Sequence, residues 1–191
     1  FDYGTLFLAA KAVNFKAFRL TFIDPVSVDL QSIQEVPIDF STIKTHCQNK
    51  GSYLLVLENP ADITVTVGKL GEIHFRKGWY VYAGSALRAL DSRIKRHQKK
   101  RKKLFWHIDY IASTVMKVKK VYPIRRLDRM ESELARALGK ISDGCINHFG
   151  STDAQDISHL FYFYTFPLKH RDFVDIIFNA RTVKVKKNDI N

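Results

Sequence analysis

Residues 78–97, GWYVYAGSALRALDSRIKRH, run from an aromatic strand through a Gly-Ser break into a helix that carries Arg93 and His97 four residues apart. Residues spaced this way share one helical face, and this face also holds Leu90 and Ile94. An arginine and a histidine among apolar neighbours are expected to point inward, beside the strand's tyrosines. A guanidinium, an imidazole and phenol hydroxyls gathered in one pocket suit phosphate chemistry. The cation stabilises charge on a phosphoryl group, and the imidazole or a phenol moves a proton.

The same helix runs into KRHQKKRKK at 95–103, where Lys95, Arg96, Lys99, Lys100, Arg101, Lys102 and Lys103 supply seven positive charges. The chain as a whole has 31 Lys and Arg against 19 Asp and Glu, a net charge of +12. A field of that sign favours a polyanion, nucleic acid ahead of an anionic membrane surface. The run reads as a ridge that positions a phosphate backbone without reading sequence. A solvated helix end has the same composition.

A carboxylate helix follows, DRMESELARAL. Its apolar stripe is Leu127, Met130, Leu134 and Leu138, with Glu131 at the stripe's edge and Glu133 pointing away. Glu131 is thus the better candidate for an inward ligand. It is also explained by a capping box, with Asp128 as N-cap and Glu131 at N3. Between the two helices, KKLFWHIDYIASTV presents Leu104, Ile108, Ile111 and Val115 on a buried face, and Trp106, Asp109, Tyr110 and Ser113 on another. The simpler reading packs this helix on a sheet with His107 as a satisfied core histidine. The sharper one lets His107 or Asp109 line the cleft beside Arg93.

The elements that must position these residues follow from periodicity. SYLLVLE is apolar on both faces, as a central strand is. ITVTVG, EIHF and GWYVYAG are further strands, the last with Tyr80 and Tyr82 on one face and Trp79, Val81 and Ala83 on the other. Helices are expected at 86–99, 104–116 and 128–139, a strand at KKVYPI, a loop-rich stretch at 140–158, a strand at HLFYFYTF and a helix at HRDFVDIIFNA. Upstream, DYGTLFLAAKAV reads as a helix, FKAFRLTFID, VSVDL and EVPID as strands, and 40–51 as a linker. The tail RTVKVKKNDIN reads as a frayed basic end.

The fold class is therefore α/β (α+β), a small mixed or antiparallel sheet flanked by helices, with an N-terminal helix-strand appendage. Hydrophobic residues make up 46% and aromatics 13% of the 191 residues, enough for a core. No stretch reaches the ~20 apolar residues of a membrane helix, and no secretory leader is evident. Cys47 and Cys145 are too few for a disulfide framework and read as reduced thiols, which points to the cytoplasm. Without an initiator Met, the chain reads as a piece of something longer.

GSYLL at 51–55 followed by YAGS at 82–85, then Arg93, His97 and the glutamate helix, resembles the signature of the GIY-YIG nuclease superfamily. GSAL, RIKRH and FWHIDYI are most similar to its Uri-type branch, over about residues 50–165. The segment FRLTFIDPVSVDLQSIQEVPIDF resembles the C-terminal end of the sugar fermentation stimulation protein family. Two domains are implied: 1–45, the remnant of that nucleic-acid-binding nuclease-like domain, and 46–191, a GIY-YIG-like domain.

The resemblance implies a metal-dependent endonuclease acting on DNA or RNA. Tyr53 would be the base, Arg93 the phosphate stabiliser and Glu131 the ligand of a single Mg²⁺ or Mn²⁺, with Tyr82 and His97 assisting. A lone carboxylate suits Mg²⁺, which keeps most of its waters and leans on substrate phosphate. Several positions depart from the pattern. The signature has a far shorter spacer than the 28 residues between Tyr53 and Tyr82, here filled by an extra hairpin. The loop from Gly84 to Arg93 is one residue longer, and Ser85 stands where excision-repair relatives carry lysine. TDAQDISHL has Ala154 and Asp156 in place of cysteines, which removes a cysteine metal site. These departures leave nucleic-acid binding intact and set a non-catalytic nucleic-acid-binding module beside the enzyme as the alternative. A basic interaction domain whose charge serves only solubility is the third class.

Overall fold

The structure, a computed structural model, describes residues 49–114, 116–126, 128–151 and 156–181. Along them run β1 (Gly51–Asn59), β2 (Ile63–Thr66), β3 (Glu72–Phe75), β4 (Gly78–Ala86), α1 (Leu90–Gln98), α2 (His107–Ala112), β5 (Lys117–Ile124), α3 (Glu131–Ile141), β6 (Gly144–Cys145), β7 (Leu160–Phe163) and α4 (Arg171–Arg181). The expected elements upstream of residue 49, the sugar-fermentation-like segment, Cys47, the tail, Val115, Leu127 and Ala154 lie outside the described residues.

β1 sends Tyr53, Leu55 and Leu57 to one face and Leu54 and Val56 to the other, all buried. Only an interior strand buries both faces. Each such aliphatic side chain contributes roughly 1.5–3 kcal/mol on burial. β1 accordingly sits between β5 and β4 in a five-stranded sheet of order β5-β1-β4-β7-β6, antiparallel at every pairing. Pro123 falls in the edge strand β5, where a missing N–H is tolerated. Gly51 begins β1 at φ +138°, and a Cβ there would meet the Ile124 carbonyl oxygen at 2.1 Å. Glycine alone lets β1 close onto β5 at that end.

The two faces are covered by different helices. Tyr53, Tyr80 and Tyr82 pack with Leu90 of α1, with Ile108, Ile111 and Ala112 of α2, and with Val67 and Phe75 from the β2–β3 segment. Leu54, Val56, Val81 and Ala83 pack with Leu134 and Leu138 of α3 and with Phe173 and Ile177 of α4. β2 and β3 form their own antiparallel ribbon, which occupies the long spacer between Tyr53 and Tyr82. Among the described residues no helix is long and apolar enough to cross a membrane.

Three helix starts differ from expectation. α1 begins at Leu90 rather than 86, because β4 runs on to Ala86 and Ala89 takes a left-handed φ of 53°. Asn49 caps it from outside: its carbonyl accepts the Leu90 N–H at 3.0 Å and its side-chain oxygen accepts the Asp91 N–H at 2.9 Å. α2 is confined to 107–112, with Leu104 exposed. α3 begins at Glu131, with Met130 at the N-cap and no side-chain cap. Asp128 instead accepts from Arg126 at 2.7 Å, so the expected capping box is absent. The cap therefore no longer accounts for Glu131.

Candidate active site

β1 and β4 are register partners, and their tyrosines on one face meet the inner face of α1. Tyr53 is 1% exposed, and its hydroxyl lies 2.8 Å from His97 Nε2. The Tyr53, Tyr82 and His97 rings form a triangle with centroid separations of 6.4, 5.6 and 6.4 Å. His97 is 1% exposed, so the helix face that carries it does turn inward.

Behind His97 stands Asp109 of α2, fully buried at 0% exposure rather than on a separate outer face. Its Oδ1 is 3.4 Å from His97 Nδ1, long for a hydrogen bond. Arg96 Nη1 donates to both Asp109 oxygens, at 2.7 and 2.8 Å. The backbone N–H groups of Phe105 and Trp106 donate to Oδ2 at 3.0 Å each. This last pair starts α2 where it does. Burial alone would raise the Asp109 pKa, but His97, Arg96 and the two backbone donors outweigh it and hold the carboxyl well below the usual range. The imidazole proton therefore belongs on Nδ1, facing the carboxylate, and Nε2 accepts from the Tyr53 hydroxyl. Burial keeps the His97 pKa below 6.5 despite Asp109, so the ring is neutral at neutral pH. Burial, reinforced by Tyr82, pushes the Tyr53 pKa well above 10.

Arg93 stacks its guanidinium over the Trp106 ring at 3.8 Å from the centroid, and Arg96 lies 4.5 Å from the same ring. Arg96 is spent on Asp109. Arg93 has no carboxylate partner among the described residues; burial raises the pKa of Tyr82 as it does that of Tyr53, and the nearby Arg93 charge opposes the rise at both. Among the described residues it is a cation near the Tyr53 and Tyr82 hydroxyls that no carboxylate engages.

Glu131 closes a second cluster at the N-terminus of α3. Ser85 of β4 donates to its Oε2 at 2.6 Å, and Arg129 donates to the same oxygen at 2.8 Å. His159 Nδ1 is 3.5 Å from Oε1, and His159 Nε2 is 3.1 Å from Asp156. Burial raises the Glu131 pKa, but His159, Ser85 and Arg129 overcome it and bring the carboxyl down to about 2. For His159, burial opposes protonation, yet the two facing carboxylates raise its pKa above 6.5. Glu133 is exposed, as expected. Glu131 would offer a metal a hard anionic oxygen, its Oε1, which among the described residues only the long His159 contact engages. That donor set fits one Mg²⁺ that otherwise keeps waters and phosphate. No group of three His, Cys, Asp or Glu that could hold a metal occurs among the described residues.

The basic run splits. Arg96 pairs with Asp109, Lys102 donates to the His97 carbonyl at 2.9 Å, and Lys100 donates to the carbonyls of Thr114 and Met116. These three hold the run to α2, to the last turn of α1 and to the connection between α2 and β5. Lys95, Lys99, Arg101 and Lys103 are exposed. His107 accepts the Gly150 N–H at 3.0 Å, as the simpler reading held, while Asp109 is buried behind His97 and pairs with Arg96 rather than lining a cleft beside Arg93. Sequence reasoning gave no role to Arg129 or His159. For His159 the SHL of TDAQDISHL was the available signal.

No curated protein and no solved structure matches the chain. One family does match, over residues 52–181, a span that holds the five-stranded sheet except for Gly51 and every residue of both clusters. By that match, which covers well over half of the sequence, the chain belongs to the family described as the domain of unknown function DUF123.

Proposed function

We propose that this chain is a metal-dependent endonuclease of GIY-YIG type, acting on DNA or RNA in the cytoplasm. The observation that carries the reading is the 2.8 Å contact between the Tyr53 hydroxyl and His97 Nε2, with Asp109 behind the imidazole. A phenol with a raised pKa is a poor base alone. Joined to a neutral histidine it can hand over its own proton while its oxygen takes one from the attacking water. Asp109 then stabilises the imidazolium, Arg93 faces the charge that develops on the phosphate, and as the new P–O bond forms the scissile P–O bond breaks, its sugar oxygen leaving with a proton from solvent. Glu131 would hold Mg²⁺ or Mn²⁺, which would supply further charge neutralisation at phosphate oxygen. Lys95, Lys99, Arg101 and Lys103 are exposed and would contact the backbone.

A second reading, a module that grips phosphate without turnover, is favoured by the 1% exposure of Tyr53 and by the engagement of Glu131 with Arg129. The two part in one experiment. Labelled single-stranded, duplex and branched DNA and RNA are incubated with Mg²⁺, Mn²⁺ or EDTA, beside Arg93→Ala and Glu131→Ala. The enzyme reading expects metal-dependent cleavage that falls by at least about 100-fold in Arg93→Ala. Cleavage that survives both substitutions removes this site. Tight, salt-dependent binding with no cut under either metal leaves the binding module.

A further inference from the structure

Phe105 is the most exposed large apolar residue near the pocket, at 73%, and it is not loosely held. Its backbone N–H is clamped to Asp109 Oδ2 at 3.0 Å, and the preceding Lys103 carbonyl accepts from Arg96 at 2.6 Å. The ring packs edge-on against Trp106 with centroids 4.8 Å apart. Trp106 in turn stands 5.8 Å from the His97 ring and carries Arg93 on its face. A ladder of rings therefore leads from the solvent to the Tyr53–His97 pair, with its outermost rung presented on a fixed backbone. Lys99, Arg101 and Lys103, which precede Phe105 by two to six residues in the chain, are exposed as well. An isolated exposed phenylalanine needs no explanation. One fixed by a buried carboxylate, beside a cation without a carboxylate partner, does.

We propose that Phe105 is a stacking platform for an unpaired nucleobase next to the phosphate that Arg93 holds, so that single-stranded or locally unpaired nucleic acid is the substrate class. The inference rests on the nucleic-acid reading above. An exposed aromatic face takes any base, while flanking lysines and arginines follow the backbone. In an intact duplex the base faces are covered, and reaching one costs a few kcal/mol of unstacking. A protein partner with an apolar patch would gain little from the cationic surround.

The test is equilibrium binding in EDTA, which separates binding from cleavage. A labelled oligonucleotide is used as a single strand, as a duplex, and as the same strand carrying abasic sites, in DNA and in RNA. Phe105→Ala is expected to weaken single-strand binding by about tenfold. Duplex and abasic strand should change by less than about twofold, and Phe105→Trp should restore the single strand. Equal single-strand affinity in wild type and Phe105→Ala, or equal losses on the abasic strand, overturns the proposal and leaves the nucleic-acid reading standing. If wild type binds no oligonucleotide, that reading fails and the proposal with it. Binding with this pattern but without cleavage under metal upholds the platform and sinks only the enzyme.

Discussion

Tyr53 and Gly84 are register partners across β1 and β4, and the tyrosine ring lies where a side chain at 84 would stand. A Cβ built at Gly84 would be 2.5 Å from both the Tyr53 hydroxyl oxygen and its Cζ. No real Cβ tolerates such a contact, and the ring is walled in by the core. Gly84→Ala must therefore move Tyr53 off His97. The variant is expected to fold with a loss of about 1–3 kcal/mol, read by urea denaturation. Its cleavage should fall as far as that of Tyr53→Phe. Wild-type cleavage in Gly84→Ala would mean that the position of the phenol is irrelevant to the reaction.

His97 must be neutral to take a proton from Tyr53. Burial holds its folded pKa below 6.5, so the acceptor form persists as pH falls past 6.5 and is lost only through that lowered value. The acid limb of kcat/KM is expected to have its midpoint below 6.5. Stability has the same sign: the unfolded chain takes up the proton first, so this group costs stability as pH drops below 6.5. His97→Gln should reduce kcat by about 100-fold or more and abolish that limb. An acid midpoint above 6.5 would point to another base.

Asp109 ties α1, α2 and the basic run together through Arg96, His97 and two backbone N–H groups. Asp109→Ala strands all of these donors at a buried position. The expected loss is about 3–5 kcal/mol, measured by chemical denaturation. Lys95→Ala, on the exposed face of the same helix, should change stability by less than about 0.5 kcal/mol. Near-equal stability of the two variants would show that Asp109 is not the clamp described.

The legible parts of the molecule were those written in local periodicity. The two-sided apolar pattern of β1 announced a central strand, and the spacing of Leu90, Arg93, Ile94 and His97 announced an inward-facing histidine. Element ends were less legible, because they are set by partners distant in the chain. Asn49 caps α1 across 42 residues, and the hydroxyl of Ser52 accepts the Met130 N–H across 78, which no local motif encodes. The capping box in DRME illustrates the point: a sound local signal lost to Ser85 and Arg129, which claim the glutamate instead. Asp109 was misplaced because the helical wheel of a 13-residue helix was applied to a segment with only six helical residues. Three of the seven basic residues of the run looked like free charge because their acceptors, backbone carbonyls and a carboxylate, carry no mark in the local pattern.

Glu131 and His159 stabilise each other over a definite pH window. The folded Glu131 pKa of about 2 lies below its ordinary 4.5, so its contribution is present above 4.5 and lost as pH falls towards 2. The folded His159 pKa is raised above 6.5, so its contribution is complete below 6.5 and lost as pH rises through the folded value. Both are complete only between about pH 4.5 and 6.5. The Tm difference between wild type and Glu131→Gln should therefore peak in that window. A coupling of about 2 kcal/mol corresponds to about 4–8 °C for a chain of this size. Below the window Glu131 takes up a proton and the difference shrinks. Above it His159 becomes neutral and the difference shrinks again, to what Arg129 and Ser85 contribute. A difference that stays flat across the whole range would assign the stabilisation to Arg129 and Ser85 alone, and His159 would then be a neutral bystander to the candidate metal ligand.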